Sequence, residues 1–273
     1  MAFWNKRRKK QTAPQEQSAR ERLLSYQVAN LQGIGTRQRQ EDAFAFVNAM
    51  DVTEMKRNGL LAMVADGMGG MRDGKVASET AIASIKADFQ AMDRTGDLAG
   101  QLRDSVLRAG QRVYQALDGQ GGSTMVACVF YEEQLYYSSV GDSFLYLLRD
   151  GQLLRLNRAH NVLQARWLAA VRSGSMDPEP ARTGGEADAL TQFLGMGGLE
   201  DVDYLRRPLR LHDGDLFLLC SDGVAGVLTE ETIAACLREG TPEQMCAGLE
   251  QAILLENRRF QDNYTALVIR CGY

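Results

Sequence analysis

Residues 60–70 read LLAMVADGMGG: the apolar run Leu60 to Ala65 leads straight into Asp66 and then into Gly67-Met68-Gly69-Gly70. A short apolar run bounded by Gly and Asp predicts a β-strand. A carboxylate at its end is held rigidly at the edge of a core, and the glycines beyond it let the backbone bend close to a ligand. The same grammar recurs along the chain. Asp142 ends Tyr136 to Gly141, Asp222 ends Leu216 to Ser221 and precedes Gly223, and Asp262-Asn263 comes just before the last predicted strand.

Taken singly, Asp-Gly and Asp-Asn pairs are ordinary tight-turn residues. Turn chemistry does not account for an apolar strand followed by Asp and then by Gly, Ser or Asn, repeated at separations too irregular for an internal repeat. Carboxylates converging at strand ends repel one another and desolvate poorly unless a cation sits among them. Hard oxygen ligands suit Mg²⁺ or Mn²⁺. With His160 and His212 the only histidines, a His-rich zinc site is excluded.

Working outward, strands are expected at Tyr26 to Leu31 and Ala43 to Val47. A helical face follows at Ala77, Ala81, Ile85, Phe89 and Met92, then a second helix over Leu98 to Leu117. Strands at Met125 to Tyr131, Leu135 to Val140, Phe144 to Leu148 and Leu153 to Leu156, joined by tight polar turns, read as one antiparallel meander. An amphipathic helix at Val162 to Val171 opens a breaker-rich excursion. Beyond it come strands at Val202 to Leu209 and Leu216 to Cys220, and helices at Thr229 to Arg238 and Pro242 to Arg258 whose starts carry Thr229 and Thr241 as capping hydroxyls. A strand at Thr265 to Cys271 closes the chain. Grouped strands and grouped helices indicate an α+β layered fold.

The 273 residues carry a net charge of −4, with 24% charged and 45% hydrophobic residues. This composition excludes a disordered or fibrous chain and argues against nucleic acid as the main partner. No apolar run approaches the roughly 20 residues of a membrane span. Residues 1–24 hold seven basic and two acidic side chains, including Lys6-Arg7-Arg8-Lys9-Lys10. They read as a solvated, disordered tail with a weak capacity for anionic surfaces, and the polar stretch after the basic run does not fit a secretory signal. Five cysteines without a C-x-x-C pair indicate reduced core residues of a cytoplasmic protein.

One polar segment adds the last ingredient. Gly35-Thr36-Arg37-Gln38-Arg39-Gln40-Glu41-Asp42 sets a guanidinium a few residues from two more carboxylates, and an Arg fork beside bound cations can hold a phosphate. With it the resemblance becomes specific. GTRQRQEDA at 35–43, VADGMGG at 64–70, ASETA at 77–81, GST at 122–124, VGDSFLYLLRDGQLLRLNRAHN at 140–161, LTQFLG at 190–195, DGDLFLLCSDGV at 213–224 and QDNYTALVI at 261–269 stand in the order of the metal-dependent protein phosphatases of the 2C type, the PPM family. The chain resembles its bacterial members over residues 26–273.

The resemblance implies a four-layer α-β-β-α sandwich with two central antiparallel sheets, formed by residues 25–273, with a flap at about 161–189. It implies two core Mn²⁺ or Mg²⁺ ions. Asp66 would bridge both, the Gly67 carbonyl would bind one, Asp222 and Asp262 would bind the other, and Glu41 and Asp42 would shape the centre through bound water. Asp142, with Asp222, matches the position supporting a third, weaker ion. The implied activity is hydrolysis of phosphoserine and phosphothreonine by direct attack of a hydroxide held between cations about 4 Å apart, with Arg37 clamping the phosphoryl oxygens. The partners it implies are phosphorylated proteins, a bacterial Ser/Thr kinase and its substrates, met by a monomeric enzyme. The alternative is a pseudophosphatase that binds phosphoproteins without turnover.

Some positions depart from the family pattern. Met68 stands where many eukaryotic relatives have His, so a bound water must protonate the leaving oxygen; many bacterial members share the Met. Gln40 replaces Asn, Phe144 follows Gly-Asp-Ser where Arg is frequent, and Ala159 and Asn161 flank His160 where Asp and Ser are typical. His160 is accordingly expected to be structural.

Overall fold

The structure is a computed structural model that describes residues 24–68, 73–174 and 186–273. Two antiparallel sheets are stacked. The first has the order β1 (Ser25–Gly33), β11 (Tyr264–Gly272), β10 (Leu216–Cys220), β6 (Phe144–Arg149), β7 (Gln152–Arg155). The second runs β2 (Ala43–Val47), β3 (Leu60–Ala65), β4 (Met125–Tyr131), β5 (Gln134–Val140), β8 (Asp203–Tyr204), with β9 (Leu209–Arg210) also paired to β5.

The two-residue period of the strands assigns every side chain to a layer. In the second sheet Leu60, Ala62, Val64, Val126, Cys128 and Phe130 point inward. They meet Leu145, Leu147, Phe217, Leu219, Leu267 and Ile269 of the first sheet to fill the centre of the sandwich. Phe130 and Phe217 meet there edge to face, with ring centroids 5.2 Å apart. Leu61, Met63, Ala65, Met125, Ala127 and Val129 point the other way, beneath α2 (Gly74–Ala91) and α3 (Leu98–Leu117). On the far side Leu216, Leu218, Cys220, Ala266 and Val268 are covered by α6 (Glu230–Leu237) and α7 (Pro242–Leu255). Strands covered on both faces carry unbroken apolar runs, which is the pattern of Leu60 to Ala65.

Most predicted elements are present within a residue or two, including α3, β3 and β10, and the four-layer α-β-β-α sandwich is the observed fold. The expected helix faces also form: Ala77, Ala81, Ile85 and Phe89 are buried, and α7 opens with a full capping box between Thr241 and Gln244. The single meander is corrected. β4 pairs with β5 and β6 pairs with β7, but β5 and β6 lie in different sheets. The chain crosses between the sheets at Gly141, where φ is +92° and an added Cβ would sit 2.6 Å from the Thr124 side chain; only glycine makes that step cheaply.

The expected strand at Val202 to Leu209 resolves into β8 and β9, separated by Leu205-Arg206-Arg207-Pro208, since proline has no N–H for a ladder. Neither α1 (Val52–Asn58) nor α5 (Asp222–Ala225) was foreseen. α1 buries no residue, so it has no apolar period to read; Asp51 Oδ1 starts it by accepting from the Thr53 and Glu54 N–H groups. α4 (Val162–Arg172) forms as expected. Residues 175–185 of the flap and the basic run at 6–10 lie outside the described residues. All five cysteines are free thiols and only Cys236 is not fully buried. Among the described residues, no helix is long and apolar enough to cross a membrane.

Candidate active site

Antiparallel pairing brings the ends that carry the acidic residues to one end of the sandwich. Asp66 follows β3, Glu41 and Asp42 precede β2, and Asp142 follows β5. In the other sheet Asp222 follows β10, Asp262 precedes β11 and Arg37 lies in the loop after β1. A cleft of about 300 Å³ opens there, lined by Arg37, Glu41, Asp66, Gly67, Met68, Thr124, Asp142, Asp188, Ala189, Leu190, Asp222 and Asp262. Larger apolar space exists near Tyr26 and Phe130, but it lacks this convergence of charge.

The backbone builds the cleft floor. The Gly67 N–H donates to the Glu41 carbonyl at 3.2 Å and the Met68 N–H to the Gly122 carbonyl at 3.0 Å. An added Cβ on Gly67 would lie 2.2 Å from the Gly74 carbonyl oxygen, so the glycine permits a close backbone approach. Thr124 anchors Asp66 in both directions: its hydroxyl accepts from the Asp66 N–H at 3.0 Å, and its own N–H donates to the Asp66 carbonyl at 2.8 Å. Asn263 fixes the Arg37 loop, accepting from the Glu41 N–H at 2.8 Å and donating to the Ile34 and Arg39 carbonyls. The Thr36 hydroxyl joins the same loop to Gln261.

The carboxylates stand under strong mutual repulsion. Asp66 and Asp222 lie close enough to act on each other, and burial raises both, Asp66 well above the usual carboxylate range. The charges of Asp42 and Asp222 add to the rise on Asp66; contact with Asp66 and the Arg37 charge partly relieve Asp222. Burial and then the Asp222 charge push Asp142 up to about 7. Within the same lining, an Arg37 guanidinium nitrogen donates to Asp262 Oδ2 at 2.5 Å.

Seven of the eight sequence-predicted site residues line this cleft: Arg37, Glu41, Asp66, Gly67, Asp142, Asp222 and Asp262. Asp42 does not line it. It is buried behind the wall, its Oδ2 accepting from Ser221 Oγ at 2.8 Å and Thr265 Oγ1 at 2.7 Å, and burial pushes it up to about 6 despite these bonds. Three participants escaped the sequence reading: Thr124 and Asn263, although both fall inside quoted motifs, and Asp188. Hydroxyls and amides in loops carry no periodic signal, and a lone Asp in a breaker-rich stretch reads as turn chemistry. His160 is buried outside the cleft lining, its backbone N–H bonded to the Gly141 carbonyl at 2.9 Å, in keeping with a structural part.

The donor set fits divalent cations. Asp222 Oδ1 is buried with no hydrogen-bond partner, a costly state for a carboxylate that a cation would relieve. Among the described residues, no three His, Cys, Asp or Glu side chains close into a ready ligand cage. The acids line a cleft instead, which suits ions that keep several waters.

The comparisons agree with this geometry. A family model described as Protein phosphatase 2C matches residues 34–253. The serine/threonine protein phosphatase PstP of Mycobacterium tuberculosis is 33% identical over 185 residues, 65% of this chain but 34% of that protein; the chain thus matches about a third of that relative's length. The serine/threonine phosphatase stp of Listeria monocytogenes is 30% identical over 195 residues, 68% of this chain and 75% of the relative. The structure of the PstP catalytic domain in complex with two manganese ions superposes with a TM-score of 0.72 at 26% identity, covering 92% of this chain and all of that one. Fold, motif order and the cleft that joins them lead to one assignment: the chain belongs to the protein phosphatase 2C family.

Proposed function

We propose that the chain is a metal-dependent protein serine/threonine phosphatase that removes phosphate from phosphoserine and phosphothreonine. The observation that carries this reading is the set of half-buried, mutually repelling carboxylates Asp66, Asp142 and Asp222, with the buried, unpartnered Asp222 Oδ1 among them and Arg37 in the same lining. Asp66, the Gly67 carbonyl, Asp222 and Asp262 would hold two Mn²⁺ or Mg²⁺ ions, and Asp142 with Asp222 a third. When bound, such ions supply a water of lowered pKa that attacks phosphorus directly, with no phosphoenzyme.

The chain's own residues do the rest. Arg37 gives one N–H to Asp262 and has further donors for the phosphoryl oxygens. Asp262 thereby orients the fork while facing the cleft itself. Thr124 and Asn263 hold the Asp66 and Arg37 loops in fixed relation, so little reorganisation is needed as charge develops on phosphate. Met68 brings a thioether, which cannot donate a proton, and no His lines the cleft among the described residues. The leaving oxygen therefore takes its proton from water. Asp42 acts from behind, bracing Ser221 and Thr265 on either side of Asp222 and Asp262.

In this reading a monomeric, cytoplasmic enzyme of residues 25–273 reverses a bacterial Ser/Thr kinase acting on proteins. Retention of Arg37 and every cleft carboxylate supports turnover over a binding-only role. Phosphate release from a phosphothreonine peptide tests it, with EDTA, Mg²⁺ or Mn²⁺ added and wild type set against Asp222→Asn. Metal-dependent release lost in the variant is the expected result. A folded wild-type protein silent with every metal would overturn the reading.

A further inference from the structure

Asp188 is the one acidic group of the cleft lining that no motif explains. Unlike Asp66, Asp142 and Asp222, it is exposed. Its backbone is nevertheless fixed on both sides: the Leu163 N–H donates to the Ala187 carbonyl at 2.8 Å and the Val162 N–H to the Ala189 carbonyl at 3.0 Å. Leu190 continues the bracket by bridging Asn161. The bracket is tied in turn to the loop bearing Asp142, because the His160 N–H donates to the Gly141 carbonyl and the Thr191 N–H to the His160 carbonyl at 2.8 Å. Asp188 is near enough for its charge to act on Asp142.

A fixed carboxylate at the mouth of a phosphate-binding cleft works against an anionic ligand unless a cation accompanies it. Two kinds of cation qualify, and burial separates them. A metal ion in the depth of the cleft is served by the half-buried acids, whereas an exposed side chain at the rim meets whatever flanks the phosphorylated residue. Glu186, also exposed, adds negative charge two residues away. Arg37, the basic residue among the described lining residues, is already engaged with Asp262 and offers acidic flanks little compensation.

We propose that Asp188 is a specificity-determining residue that favours phosphosites flanked by Lys or Arg over those flanked by Asp or Glu. The proposal rests on the phosphatase reading of the same cleft. An exposed charge pair supports a discrimination of roughly fivefold at most, which salt weakens as screening grows.

The test uses the full chain, its Asp188→Asn and Asp188→Lys variants, and two phosphothreonine peptides of equal length that carry Lys or Glu on both sides of the phosphoresidue. Three readouts are taken: the ratio of kcat/KM for the two peptides with Mn²⁺, the ratio of their affinities by fluorescence anisotropy, and Mn²⁺ affinity by electron paramagnetic resonance. The ratio cancels any general effect of the variants on the centre. Wild type should prefer the Lys peptide by about 5-fold, Asp188→Asn should fall to near parity, Asp188→Lys should invert the preference, and 0.5 M salt, used as a roughly 4 Å screening length, should flatten all three. An unchanged ratio in both variants overturns the proposal. So does weakened Mn²⁺ binding in Asp188→Asn with the peptide ratio intact, which would assign Asp188 to a metal ion. If neither peptide is turned over by wild type, the phosphatase reading fails while the anisotropy ratio still decides the role of Asp188.

Discussion

Arg37 shows how much depends on the shape of one side chain. Its guanidinium is about half exposed and paired with Asp262 at 2.5 Å, and Asp262 and then the Glu41 and Asp222 charges act to keep it protonated. Arg37→Ala should lower kcat/KM by roughly 10²–10³, the scale of losing one positioned transition-state donor, with both kcat and KM affected. Arg37→Lys keeps the charge but loses the planar fork, so it should recover only part of that loss; equal activity of Lys and Arg would show that charge alone matters. Sequence carried the candidacy of Arg37 because GTRQRQED places it beside acids. It did not carry the contact with Asp262, which lies 225 positions away.

Strand β10 separates two aspartates with opposite fates. Asp222, beyond its C-terminal end, faces the cleft. Asp215, just before its N-terminal end, is buried at the other end of the sandwich, where Arg149 grips it through two nitrogens at 2.7 and 2.6 Å and the His212 N–H adds a third bond. Asp215→Ala should cost about 2–4 kcal/mol, toward the lower part of the range for a broken buried pair because Arg149 is partly solvated. Denaturant unfolding checks this, and kcat of the folded fraction should stay within about twofold, since the change is remote from the cleft. Both residues belong to the one motif DGDLFLLCSDGV, and strand periodicity alone does not say which end meets the other carboxylates. At the same scale, Thr241→Ala removes the capping box of α7 and should cost about 1 kcal/mol, read as a lowered Tm without change in turnover.

At the scale of the whole molecule, the cleft sets stability against charge. With metal stripped by EDTA, Asp142 is raised to about 7 and Asp42 to about 6 by burial and like charge, against about 3.9 in the unfolded chain. Folded carboxyls raised in this way bind more protons than unfolded ones. Their contribution is therefore fully present below about pH 4 and is lost as pH rises through 6 to 7. The metal-free Tm should climb as pH falls from 8 to 5.5, and a flat or opposite profile would show that these groups do not carry the repulsion. Mn²⁺ at 100 times its Kd should add about 2.7 kcal/mol at pH 8, and less at pH 5.5, where protons compete for the same oxygens. The sequence by itself determined an α+β layered fold and the identity of the acids, because strand and helix periodicities are local and each Asp announces itself at the end of an apolar run; the four-layer order came only with the family resemblance. Only the tertiary structure decided that β5 and β6 part into different sheets at Gly141. It alone decided that Asp42 stands behind the wall while Asp188 joins the rim, and that Thr124 and Asn263 lock the loops. Those outcomes depend on which strand ends meet in space, and the register that brings them together is a property of pairings up to 247 residues apart.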